Sequence, residues 1–415
     1  MRDGWKALPL SDVVEHTIGG VWGAESGTDE VEVTVVRSTE FTKRGYLNFE
    51  TGVSRSIKLS QLKSRELKVG DILLEKSGGG PDQPVGRVVY VTGEIPSKFV
   101  CSNFVQLVRP NSKIVEPLFL FHIMWQWHAI NRTLEFQAQT TGIRNLRTPD
   151  YLEQEINLPP LPEQKRIVDL ISSVDSYIEA LQQQLESAKR SRNAFIESQI
   201  LELSDSSLFS LKNLSTKIGS GATPRGGEEV YIETGVNLIR SQNVHDSNFV
   251  MSGLVAIEDS AAKALDNVTV EEGDVLINIT GASVTRCCVV DSTILPARVN
   301  QHVAIIRSDK AKILPKYLVL VLTSNEVKGF LNDIAGTGST RQALTKTHLE
   351  DLEIAVPSIS KQAAIIESSD AFDTTISKSQ ITLDRAKNLR SGLLSDLLSG
   401  EHEIPASYDK VMGAA

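Results

Sequence analysis

The side chains able to do covalent or metal chemistry are few in this 415-residue sequence, and they do not gather. Seven histidines include no His-Glu-x-x-His motif and no other i, i+4 pair that would put two imidazoles on one helix face for a metal. No Gly-x-Ser-x-Gly elbow presents a nucleophilic serine, and no Gly-x-x-x-x-Gly-Lys-Ser/Thr run cradles a nucleotide phosphate. Ser77-Gly78-Gly79-Gly80 and Gly219-Ser220-Gly221 are glycine-rich, yet their spacing is that of flexible turns rather than of a dinucleotide fold. Cys101, Cys287 and Cys288 form no Cys-x-x-Cys pair and suit a reducing compartment. Gly70-Asp71 and Gly273-Asp274 offer carboxylates, but each precedes an apolar run and reads as a turn feeding a buried strand. A DNA methyltransferase would need a cofactor-binding glycine motif and an Asn-Pro-Pro-aromatic motif, and neither occurs. A self-sufficient enzyme is not predicted.

The elements that must position any binding side chain come in two copies. Pro159 to Leu201 aligns without gaps on Pro357 to Ser399, with ten of 43 positions identical, among them Gln164/Gln362, Asp175/Asp373, Leu185/Leu383, Ala188/Ala386 and Arg192/Arg390. Upstream, Gly70-Asp71-Ile72-Leu73 matches Gly273-Asp274-Val275-Leu276, and Asn103-Phe104-Val105 to Arg109 matches Gln301-His302-Val303 to Arg307. The chain is a tandem duplication. Ile171, Val174, Ile178, Leu181, Leu185, Ala188, Arg192 and Phe195 follow a 3-4 spacing, and the second copy repeats it through Ser369, Phe372, Ile376, Ser379, Leu383, Ala386, Arg390, Leu393 and Leu397. This is the seam of a coiled coil, roughly 50 Å long at ~1.5 Å per residue. Pro159 and Pro357 mark the helix entries, and Gly400 follows the second helix as a stop. Short β-branched runs fill the upstream parts (Val31 to Val36, Gly86 to Val91, Phe104 to Val108; Val275 to Ile279, Arg286 to Val290, Val303 to Ile306), with helical stretches at Leu118 to Ile130 and Pro315 to Leu331. Each copy is thus an α+β domain followed by a long helix.

Length predicts two to four domains. With 40% hydrophobic and 23% charged residues the chain is globular rather than disordered. No apolar run reaches the ~18 residues of a membrane span and the first ten residues lack a secretory apolar core, so a soluble cytoplasmic protein is expected. The net charge of −9 argues against a generic basic nucleic-acid binder, so any DNA-binding face must be assembled locally by loops.

Leu158-Pro-Pro-Leu-Pro-Glu-Gln-Lys-Arg-Ile-Val168, leading into the Asp175-containing heptad helix, resembles the spacer region of the specificity subunits of type I restriction-modification systems, and Val356-Pro-Ser-Ile-Ser-Lys-Gln-Ala-Ala-Ile-Ile366 is a degenerate second version. The openings Leu10-Ser-Asp-Val13 and Leu211-Lys-Asn-Leu214 also resemble elements of that family. The resemblance covers essentially the whole chain. It implies an α+β fold: a tandem duplication of an α/β target-recognition domain, each copy followed by a long helix, the two helices pairing as an antiparallel coiled-coil spacer with pseudo-twofold symmetry. The expected division is residues 1–156 and 205–354 for the recognition domains, 157–204 and 355–400 for the spacer helices, and 401–415 for a C-terminal tail, with Tyr408 to Ala415 either frayed or lying near the N-terminal domain to close a circular pseudo-repeat. It further implies that each domain reads one half of a split double-stranded DNA target without catalysing anything itself. Two modification subunits would bring S-adenosylmethionine for adenine methylation, and restriction subunits would bring ATP and Mg. No cofactor is expected in this chain.

Under that reading, Arg, Lys, Asn and Gln on loops are the candidate DNA contacts. In the first domain these are Lys43 and Arg44, then Lys76, Ser77 and Gly78, then Arg87, and finally Arg144, Asn145 and Arg147 within Thr141 to Arg147. In the second they are Arg225, then Arg240, Gln242 and Asn243, then Thr280 and Arg286, and finally Arg341 and Gln342 within Gly338 to Gln342. Arg144 and Arg341 occupy equivalent places, which suggests phosphate anchoring, whereas Arg240 to Asn243 is expected to differ between the copies and carry specificity. Pro159, Gln164, Pro357, Gln362 and the seam residues are assigned to the spacer and its partners, with Arg192 and Arg390 setting helix register. Phe119, Phe121, Trp125 and Trp127 form either a stacking platform or, as the expectation here, a helix packed into the core. A rival reading from another class is a non-catalytic coiled-coil adaptor whose β-rich domains bind proteins or glycans, which the acidic balance favours.

Overall fold

The structure is a computed structural model that describes residues 2, 4–79, 84–96, 98–140, 143–203, 207–336 and 342–411. Two compact units result, Met1–Ala180 with Leu383–Ala415, and Leu181–Thr382. Both long helices contribute to both units.

In the first unit, Val14–Gly19, Val105–Pro110, Ile72–Glu75 and Val88–Tyr90 form an antiparallel sheet in that order. Its central strand Ile72–Glu75 is buried at every position, because side chains alternate between two covered faces. Ile72 and Leu74 point into a core with the helix Pro117–Ala129, and Leu73 points into a second core with the three-stranded sheet of Val53–Ile57, Val31–Val36 and Phe99–Cys101. The aromatic cluster is core: Phe119, Phe121 and Trp127 are buried, and half-buried Trp125 packs over Gly45, which has φ +81° and no room for a Cβ.

The second unit repeats the plan. Ser215–Ser220, Val303–Ser308, Val275–Asn278 and Cys287–Val289 form the antiparallel sheet, with Val275 and Ile277 facing the helix Pro315–Leu322 and Leu276 facing the sheet of Val255–Ile257, Val236–Ile239 and Ala297–Val299. The expected helix Pro315 to Leu331 is broken at Thr323-Ser324 and resumes as Asn325–Gly336.

The turns before the central strands are each closed by an arginine–aspartate pair, and in the second copy Arg307 also pairs with Glu271. Arg109 clasps buried Asp71 at 2.7 Å from both guanidinium donors, and Arg307 clasps buried Asp274 at 2.8 and 2.9 Å. Each aspartate also accepts a backbone amide three residues upstream. These contacts raise the guanidinium pKa of both arginines.

The long helices span Leu161–Leu201 and Ile359–Ser399, 41 residues each, or about 60 Å. They begin about four residues inside the expected segments. The preceding residues are strands instead: Glu155–Leu158 pairs with Lys6–Pro9, and Glu353–Ala355 pairs with Leu208–Ser210. Each helix is fastened by one fully buried glutamine. Gln164 accepts the amide of Glu116 (2.7 Å) and donates to the carbonyls of Ile114 and Pro159; Gln362 accepts the amide of Leu314 (2.8 Å) and donates to Lys312 and Pro357.

No residue of either predicted seam is exposed. In the first unit Ile167, Val168 and Ile171 share a core with Leu394, Leu397 and Leu398, and Arg390 forks onto Asp175 at 2.6 and 2.8 Å. In the second unit Arg192 pairs with Asp373 at 2.6 Å, Phe195 meets Phe372, and Ile196 shares a core with Ile365. Rising numbers on one helix meet falling numbers on the other in each unit, so the helices run antiparallel. Arg192 and Arg390 are interhelical pairs, and Asp175 and Asp373, already matched as repeat identities, are their partners.

Over its described part the tail packs on the first domain, the second of the two expected arrangements. Ile404 is buried, Tyr408 packs on the first core, Arg166 pairs with Asp409, and Gly400 lies against Trp5.

His122 occupies the place of Leu320 in the second copy, and neither ring nitrogen has a hydrogen-bond partner. Burial, reinforced by the charge of Arg390 and opposed by Asp175, lowers its pKa to about 4. The unfolded chain therefore binds this proton first as pH falls, so the contribution is intact above about pH 6.5 and is lost progressively down to about 4. His122→Leu should remove an acid-linked loss on the order of 3 kcal/mol. Thermal melts at pH 7, 6 and 5 should show the variant losing less of its midpoint than the parent.

Candidate nucleic-acid interface

Five of the predicted contact residues meet at one end of the first sheet. Ser77–Gly79 pairs with Ile143–Leu146, which pairs in turn with Gln137–Thr140. This places Arg144 opposite Gly79 and Asn145 opposite Ser77, whose hydroxyl donates to the Asn145 carboxamide at 2.5 Å. The amides of Lys76 and Ser77 both donate to the carbonyl of Phe104 (2.9 and 3.2 Å), so the turn Asn103-Phe104 sits on the same edge. Lys76 Nζ lies 3.5 Å from Gln106 Oε1 and close beside Gly19, whose carbonyl accepts from Arg65 Nε at 2.9 Å. Lys76, Gly78, Arg144 and Asn145 thus share a surface with Arg65, Asn103 and Phe104, while Ser77, predicted as a contact, is buried beneath it and holds Asn145 instead.

The second domain builds the same edge with other side chains. Thr280 bridges to Ala343, Gly281 N donates to the carbonyl of Gln342, and Leu344 N donates to Ile279 just as Leu146 N donates to Lys76, both at 2.8 Å. Ile279 N donates to His302 as Lys76 N donates to Phe104, both at 2.9 Å. Thr280 and Gln342 are therefore brought together, beside the turn Gln301-His302. Arg341 lies outside the described residues, as do Gly80, Thr141, Gly142 and Gly338 to Thr340. Beneath each turn a glycine is obligatory: a Cβ on Gly20 would stand 2.2 Å from the Cys101 and Ser102 carbonyls, and one on Gly221 only 1.8 Å from that of Val299.

Other candidates have structural work. Arg87 forks onto buried Glu75 at 2.7 and 2.8 Å and also reaches Ser38 O; the carboxylate raises the guanidinium pKa. Arg147 holds Asp150 (2.6 Å) and the Glu135 carbonyl (2.9 Å), tying down the short helix Thr148–Leu152. Asn243 is fully buried: its carboxamide accepts the amide of Arg240 and donates to Val250 and Ser252. Arg240 and Gln242 both donate to the Gly253 carbonyl, and Arg240 lies over Tyr231. The stretch Arg240 to Asn243 makes the same turn as Arg37 to Glu40 in the first domain, where Glu40 accepts the Arg37 amide. Half-buried Arg286 matches Arg87: its carbonyl accepts Asn278 N as that of Arg87 accepts Glu75 N. Lys43 is exposed and Arg44 pairs with Glu179 of the long helix at 2.8 Å; their loop meets the sheet at Tyr90, opposite Ile72, away from the Lys76 end. Arg225 is exposed on a separate turn ahead of Gly226, which has φ +103°.

Sequence reasoning passed over Asn103, Phe104, Gln301 and His302. The signal was there, because these pairs lie inside an aligned stretch of the repeat while differing in residue type. Phe104 reads as the first strand residue, but the strand starts at Val105, which leaves Phe104 exposed on the turn.

A family model described as the type I restriction modification DNA specificity domain matches residues 2–190 and again residues 205–384. The chain belongs to this family. It is similar to the type I restriction enzyme StySPI specificity subunit of Salmonella potsdam, 21% identical over 428 residues that cover 97% of this chain and 90% of the relative. Its fold is that of a chain solved in a study of complex assembly and conformational transition of the type I system (TM-score 0.66, 17% identity, covering 96% of this chain and 98% of that one). The HsdS subunit from Thermoanaerobacter tengcongensis also matches (TM-score 0.53, 17% identity, 97% and 98% covered). As a specificity subunit the chain is the recognition component of a type I restriction-modification system, not a catalytic one, and works with DNA and the system's other subunits. Among the described residues no helix is long and apolar enough to cross a membrane.

Replacing Lys76 by Ala should weaken DNA binding by the assembled complex and reduce the slope of log K against log salt by about 1, the signature of one lost phosphate contact. Arg87→Ala should leave that slope unchanged and lower the melting temperature instead, since it strands buried Glu75. Fluorescence anisotropy across a salt series separates the two.

Proposed function

We propose that the two α/β domains read two different half-sites of an asymmetric bipartite DNA target, with the antiparallel helices setting the gap between them. The observation that carries this reading is one framework built twice around different exposed or half-buried side chains: Lys76 and Asn103-Phe104 in the first copy, and Gln342 and Gln301-His302 in the second. Half-sites read from one face of a duplex lie about one helical turn apart, ~34 Å, and helices of about 60 Å can span that distance when tilted. The repeat also offers two equivalent surfaces for two identical modification subunits. Those subunits bring S-adenosylmethionine and methylate adenine, while restriction subunits supply ATP- and Mg-dependent translocation and cleavage. The assembly acts in the cytoplasm. Acidity elsewhere on the chain is compatible with this role if the partners supply much of the phosphate contact.

The test is single-molecule sequencing of adenine methylation in cells expressing the chain with its modification partner, against cells expressing the partner alone. A motif of two unlike half-sites separated by a fixed gap should appear only with the chain. A palindromic motif, or none from a soluble assembled complex, contradicts the proposal.

A further inference from the structure

The turn Gln301-His302 carries more order than an exposed turn needs. His302 N donates to Asn300 Oδ1 at 3.0 Å, His302 Nδ1 lies 2.6 Å from Thr280 Oγ1, and His302 Nε2 lies 2.9 Å from Gln301 Nε2. A carboxamide nitrogen can only donate, so His302 Nε2 accepts, the ring proton sits on Nδ1, and Nδ1 donates to the Thr280 hydroxyl. The imidazole thereby holds an exposed carboxamide by one of its two N–H bonds. Gln301 Oε1 and the second N–H are left side by side, an acceptor next to a donor in one plane.

That pair complements the major-groove edge of adenine, which offers the N6 amino donor beside the N7 acceptor. We propose that Gln301 reads an adenine of the second half-site, with His302 and Thr280 as positioning residues. The inference rests on the DNA-reading function proposed above. Gln301 and Asn103 hold the same place in the repeat, yet the residue that follows is His302 in one copy and Phe104 in the other, so the carboxamide is held by imidazole only in the second domain. This difference gives a shared framework two unlike reading heads.

The experiment maps the methylation motif of the chain assembled with its modification partner, comparing the parent with Gln301→Ala and Thr280→Val. Gln301→Ala should make one adenine position of the second half-site degenerate, with discrimination there falling roughly tenfold or more, as loss of a bidentate base contact implies. The first half-site and the gap should be unchanged. Thr280→Val removes the hydroxyl that orients His302 without touching the carboxamide, and should relax the same position to a smaller extent while its melting temperature stays near the parent's. An unchanged second half-site in Gln301→Ala, or degeneracy confined to another base or to the first half-site, overturns the assignment while leaving bipartite DNA reading intact. A parent complex that yields no motif overturns the underlying function and the assignment with it.

Discussion

Everything built on the long helices depends on a buried glutamine at the start of each. Gln164 and Gln362, both fully buried, each satisfy the N-cap amide of a core helix and two backbone carbonyls. A buried polar group left unmade costs about 1–3 kcal/mol, so the direction in which each helix leaves its domain is strongly determined. All the partners are backbone atoms. These glutamine bonds are therefore independent of the side chains of the domain they hold, while side-chain contacts such as Arg44–Glu179 and Lys316–Asp370 differ between the two copies.

Charge is used the same way. Asp71–Arg109 and Asp274–Arg307 close the turn before each central strand, while Asp175–Arg390 and Asp373–Arg192 fix helix against helix. Many arginines that look available in sequence are thus part of the scaffold. In the first domain the cations at the Lys76 end sit where strand ends and glycine turns bring backbone and side chain together. An acidic chain can carry a DNA-reading surface because the surface is made by placement rather than by net charge.

The duplication, the seam, most strands and the core role of the aromatic helix were legible because periodicity and repeat identity report directly on burial. The Arg–Asp partnerships were half legible: Asp175 and Arg390 were both visible as repeat identities, but their pairing across 215 residues is a tertiary fact. Asn243 misled because a residue type that suits base reading also suits a tight turn, where it serves as a buried cap. Phe104 was missed because an exposed aromatic beside a β-branched run looks like strand. Only the pairing of neighbouring backbone shows that Asn103-Phe104 and Gln301-His302 lie on the turns before the strands, which start at Val105 and Val303.

If the glutamine attachment suffices to hold either domain, residues 207–356 can be replaced by a second copy of residues 6–158. Methylation mapping of that chain with its modification partner is the most direct test. The account predicts a palindromic motif made of the first half-site twice, across the original gap. Persistence of the second half-site, or an assembled complex that methylates no motif, would contradict it.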